Sequence, residues 1–86
     1  MDLKAAITTA KQHLMDVFVD ESVTSPQLEE VWFDEVQSQW CVTLGFWRKP
    51  TNPMIGVLAN RDYKVVRIDA LSGKPISIRN RDLSAA

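Results

Sequence analysis

Apolar residues recur through the first twenty positions at spacings of four, three, four and three: Leu3, Ile7, Ala10, Leu14 and Val17. That period puts them on one face of an α-helix. Ala6 and Phe18 flank the stripe, and Lys4, Lys11, Gln12 and Asp16 fall mostly opposite it. Asp2 stands where a carboxylate can accept from the first free N–H groups of a helix. The pattern predicts a helix over 3–19, followed by a loop in which Pro26 drives Ser25 out of helical geometry.

The next segment has two readings. Pro26 at a first helical position with Glu29 behind it would open a second helix. The bulky run Val31, Trp32 and Phe33 instead suits a pleated surface, and we read 28–36 as a strand. Gln37 and Ser38 form a hairpin connection. Strict alternation then begins: Trp40, Val42, Leu44 and Phe46 interleave with Cys41, Thr43, Gly45 and Trp47, a strand over 39–47. Pro50, Asn52, Pro53 and Gly56 make 48–56 a loop. Met54 to Leu58 either tuck that loop under the sheet or add a short strand, and Asn60 to Asp62 read as a turn. A third strand over 63–70, a tight turn in which Gly73 takes positive φ, and a short last strand over 75–79 complete the order. Residues 80–86 form a polar tail.

These elements amount to one α+β domain over 1–86: an N-terminal helix packed on one face of a three- to four-stranded antiparallel sheet. Its faces divide by parity. Phe33, Trp40, Val42, Leu44, Phe46, Val66, Ile68, Ile76 and Ile78 form the bed for the helix. Trp32, Cys41, Thr43, Trp47, Tyr63, Arg67 and Arg79 lie on the other side. Trp, Tyr and Arg offer large rigid area and directional donors and are enriched where proteins bind one another, so Trp32, Trp47, Tyr63, Arg67 and Arg79 are the candidate binding residues. Three plainer readings compete: these side chains cover one another with arginine stacking, the long loop folds over them, or the face builds a homodimer.

Composition narrows the function classes. Hydrophobic content of 45% and charged content of 24% match an ordinary globular domain. No apolar run approaches the ~20 residues of a membrane span. The opening Met-Asp-Leu-Lys has no export pattern, so a cytoplasmic location is expected. One cysteine, Cys41, and one histidine, His13, cannot supply a zinc site, and neither has a partner group in a catalytic motif. Glu29, Glu30, Asp34 and Glu35 lack calcium-loop spacing and read as a solvated or partner-facing strand edge. No cofactor, metal or catalytic residue is expected. The charge is split: residues 1–40 carry −6 and residues 41–86 carry +5. Either the halves complement each other within the fold, or they make a dipolar surface that steers a charged partner.

The tract Tyr63-Lys64-Val65-Val66-Arg67-Ile68-Asp69-Ala70-Leu71-Ser72-Gly73-Lys74-Pro75-Ile76 resembles the closing hairpin of PepSY-like domains. Those end in an alternating strand, an Asp, a small residue, a Gly turn and a short strand. Trp40 to Leu44 looks like the preceding strand of that family. The layout is also similar to that of small bacterial immunity proteins. The resemblance implies a helix on an antiparallel sheet and a regulatory, inhibitory or binding role, with no catalytic residue to carry over. The expected function is a non-catalytic protein-binding domain, with an immunity protein, antitoxin or inhibitor acting by surface occupation as the specific form. The alternatives are a nucleic-acid module using the aromatic–arginine face and a small enzyme with a helix–sheet pocket around His13.

Overall fold

The Asp2 side chain accepts from Ala5 N at 2.8 Å and its carbonyl from Ala6 N at 3.0 Å, fixing the start of helix α1 (Leu3–Val17). The computed structural model describes residues 1–21, 23, 25–48 and 60–81. A short 3₁₀ turn (Val19–Glu21) follows α1. The four strands are β1 (Gln27–Asp34), β2 (Gln39–Arg48), β3 (Asn60–Asp69) and β4 (Pro75–Asn80). They form one antiparallel sheet in the order β1-β2-β3-β4, so each strand pairs with its neighbour in sequence. The architecture is α+β, one helix on an antiparallel sheet.

Register decides which residues share a side. Val31 faces Val42 and Phe33 faces Trp40. Trp40 also faces Ile68, and Val42 faces Val66, which pairs with Ile78. Ala6, Ala10 and Leu14 of α1 cover this bed, and with Val42, Leu44, Phe46, Val66 and Ile68 they form the fully buried core. Phe18 closes one end on Phe46, with ring centroids 6.3 Å apart. The helix therefore seals the side that the alternation assigned to it.

Four expectations need correction. The buried stripe is Ala6–Ala10–Leu14, not one bounded by Leu3 and Val17, which are exposed. Ala6, Ala10 and Leu14, one turn apart from each other, are the residues that face the sheet. Asn60 to Asp62 are strand, not turn, because they pair with Arg48, Trp47 and Phe46. Strand β1 stops at Asp34 rather than Val36, since the Asp34 carboxylate accepts from Val36 N and Gln37 N, both at 3.1 Å. Ile76 leaves the helix-facing bed: a register shift between Arg67 and Ile68 in the β3–β4 ladder lets Arg67 pair with Ser77 and Ile68 with Pro75. Ile76 is thus the extra residue of a bulge and is 50% exposed.

The loop expected over 48–56 and the segment from Met54 to Leu58 lie outside the described residues, apart from Arg48, which ends β2. Of the expected tail, Asn80 belongs to β4 and Arg81 N donates to Tyr63 O at 3.0 Å; residues 82–86 lie outside the description. The turn after β3 forms as expected. Gly73 has φ +74°, and Asp69 caps it by accepting from Ser72 N at 2.8 Å. Ala70 N donates to Ser38 O at 3.0 Å and ties the two hairpin turns together. Both sheet edges are interrupted: β1 has a bulge between Leu28 and Glu30, and β4 begins with a proline and carries the Ile76 bulge. Such features blunt edge-to-edge pairing.

Candidate functional site

The side of the sheet away from α1 is built by alternate residues of all four strands. Gln27, Glu30, Trp32 and Asp34 come from β1, opposite Gly45, Thr43, Cys41 and Gln39 of β2. Arg61, Tyr63, Val65 and Arg67 of β3 lie opposite Trp47, Gly45, Thr43 and Cys41. Ser77 and Arg79 of β4 complete the row against Arg67 and Val65. All five candidates, Trp32, Trp47, Tyr63, Arg67 and Arg79, stand on this one face.

Three arginines, two on β3 and one just past the end of β4, reach across β2 to acids on β1. Arg61 pairs with Glu29, Arg67 Nη1 lies 3.1 Å from Asp34 Oδ2, and Arg81 Nε lies 2.8 Å from Glu30 Oε1. The charge split in the sequence therefore resolves at least in part inside the fold. Glu29, Glu30 and Asp34 of the edge strand are thus each engaged by an arginine while staying partly exposed. No group of three or more metal-ligating side chains occurs among the described residues.

Arg61 sits in the tightest arrangement. Its guanidinium carbon is 5.4 Å from the ring centres of both Trp47 and Tyr63, within cation–π range. Its Nε donates to Tyr63 Oη at 3.2 Å, and Nη2 donates to Gln27 Oε1 at 3.3 Å as well as to Glu29. The hydrogen bond to Tyr63, then the one to Glu29, raises the arginine pKa further. Gly45 makes room for this: a Cβ there would stand 2.5 Å from both Arg61 Nη2 and Glu29 Oε1. Alanine in a strand gains roughly 0.5–1 kcal/mol over glycine, and an exposed ion pair that moves aside gives up little. Gly45→Ala is expected to melt close to the parent while displacing Arg61 from Glu29. A shifted Arg61 Nε–H resonance reads this out, and an unmoved resonance contradicts it.

Thr43 is fully buried and donates from Oγ1 to Glu30 Oε1 at 3.1 Å. The bond from Arg81, then that from Thr43, holds the Glu30 carboxyl below its usual range against the opposing cost of burial. Asp34 is lowered chiefly by the Gln37 N–H and next by Arg67, and Asp69 by Ser72. Depressed carboxyl values stabilise the fold fully above about pH 5, where the unfolded carboxyls are ionised, and lose that contribution as pH falls through the folded-state values. The Tm should therefore drop in acid below about pH 5. A Tm unchanged down to strong acid would contradict this. Cys41 is fully buried, and burial pushes its thiol up, the opposite of an activated nucleophile.

No protein-family model, curated protein or solved structure matches the chain.

Trp32 and Trp47 are 38% and 45% exposed, and Arg79 is exposed. Tyr63 and Arg67 are half-buried, held by their neighbours. Sequence reasoning missed Arg61, Arg81 and Gly45, the parts that lock the face together. His13 is half-buried on α1 and lines a groove of about 360 Å³ with Thr9, Gln12, Asp16 and Pro75; Asp16 accepts from Gln12 Nε2 at 2.9 Å. No described helix is long and apolar enough to cross a membrane.

Proposed function

We propose that this chain is a non-catalytic protein-binding domain of the cytoplasm that acts by occupying a partner's surface with the open face of its sheet. The observation that carries this is Arg61 held between Trp47 and Tyr63 and bonded to Glu29 and Gln27. An arginine and two aromatics already fixed in place lose little further freedom on binding, which is what makes a patch productive per unit area. Trp, Tyr and Arg are also the residues that most often dominate binding energy.

The charge balance speaks for a protein rather than a nucleic acid. Binding to a phosphate backbone draws on cations free to displace counterions, and three of the arginines on this face are engaged by acids. The order of elements agrees with the PepSY-like resemblance, whose implied regulatory, inhibitory or binding role suits an immunity protein, antitoxin or inhibitor. Affinity capture from the native host tests the reading. The parent chain should retain a protein that Trp47→Ala releases, and retention unaffected by Trp47→Ala and Trp32→Ala would refute it. Salt-sensitive binding of a single-stranded oligonucleotide in its place would favour the nucleic-acid alternative.

A further inference from the structure

At the hairpin end of the open face, Asp34, Gln39, Arg67, Ile76, Ser77 and Arg79 line a groove of about 440 Å³. Its two arginines differ. Arg67 Nη1 is engaged by Asp34 at 3.1 Å and by Gln39 Oε1 at 3.2 Å. Arg79 makes no ion pair with a described residue and is exposed. Among the described lining residues, two guanidiniums stand against one carboxylate, a surplus of one positive charge. The Ser77 hydroxyl adds a donor beside them, and the Ile76 side chain, turned out of the core by the bulge, adds an apolar wall.

We infer that this groove receives one carboxylate from an acidic side chain of the protein partner; the biological part of this rests on the open-face reading above. A singly charged group matches the surplus of one. A doubly charged phosphate would be half compensated and would face Asp34. Planar guanidinium also bonds carboxylate in a forked geometry. Ile76 favours an apolar neighbour beside that acid. Arg61 and Arg81 are not such receivers, because acids of this chain already hold them.

The test is an NMR titration of the isotopically labelled chain alone. The probe is a tripeptide with one central glutamate and both termini blocked. Saturable shifts are expected at Arg79, Ser77 and Gln39 in the millimolar range, with Arg61 and Trp47 unmoved. Arg79→Gln should weaken binding about tenfold or more, the loss of a charged hydrogen bond. Arg79 is exposed, so the variant should fold, and its amide spectrum checks this. Absence of saturable shifts, or equal shifts in Arg79→Gln, would overturn the inference. Saturation only by inorganic phosphate, or only by a glutamine tripeptide with a free C-terminal carboxylate, would overturn the side-chain assignment. Because no partner is present, failure here is distinct from failure of the Trp47-dependent capture.

Discussion

Phe46→Ala is expected to cost about 3–5 kcal/mol, the usual range for removing a large aromatic from a closed core. Phe46 is fully buried, sits on the helix side of β2 and is the floor against which Phe18 closes the end of α1. For a chain of 86 residues, total stability is on the order of 4–13 kcal/mol, so this one substitution removes a large share. Converted to temperature, the loss is roughly 12–40 °C in Tm. Thermal unfolding followed by far-UV circular dichroism measures it. Leu71→Ala is the control: Leu71 is 93% exposed on a hairpin turn and should change the Tm little. A Phe46→Ala chain that melts like the parent would mean that the helix does not rest where it is placed here.

Trp47→Ala should behave in the opposite way. Trp47 is on the same strand, one residue along, but points to the other side and is 45% exposed. Its loss uncovers one side of Arg61 and leaves the helix-side core intact, so stability should fall by about 1 kcal/mol or less, the scale of an exposed cation–π contact. Partner affinity should fall far more, by about 2 kcal/mol or over, as for a hot-spot tryptophan, or roughly thirtyfold and above. Melting and partner titration on the same preparation separate the two effects. A large drop in Tm would place Trp47 in the core. Unchanged affinity with an intact fold would remove it from the binding surface.

Adjacent residues with contrary behaviour are what strand alternation means, and here the alternation was readable. Trp40 to Phe46 and Val66 to Ile68 declare their sides in the amino-acid order because the β2–β3 ladder that pairs them is uninterrupted. The phase fails at bulges. One extra residue at Ile76 reverses which neighbours share a side, and a bare sequence carries no mark of it. The helix was equally readable in period but not in its contact line. Ala6 is a weaker hydrophobe than Leu3, yet Ala6 is fully buried and Leu3 is exposed, because contact is decided by how the helix lies on the sheet and not by hydrophobicity alone.

The site was legible as a composition and not as a mechanism. Trp32, Trp47, Tyr63, Arg67 and Arg79 could be put on one side by parity alone. The pairing of Arg61 with Glu29 spans 32 positions and that of Arg81 with Glu30 spans 51, so neither could be seen without the register of three strands. Gly45 gave no signal either, because a glycine in a strand reads as a weak point until the groups crossing above it are known. Asn60 to Asp62 looked like a turn on local preference, and pairing along the full length of β2 overrode that preference.

Three chains, each keeping one tryptophan and replacing the other two by phenylalanine, test the two-sided sheet most directly through quenching of fluorescence by acrylamide. The chains retaining Trp32 or Trp47 should be quenched readily, and the chain retaining Trp40, which packs against the helix-covered core, should be protected. Ready quenching of Trp40 together with protection of Trp32 and Trp47 would put the helix on the opposite side and contradict the account.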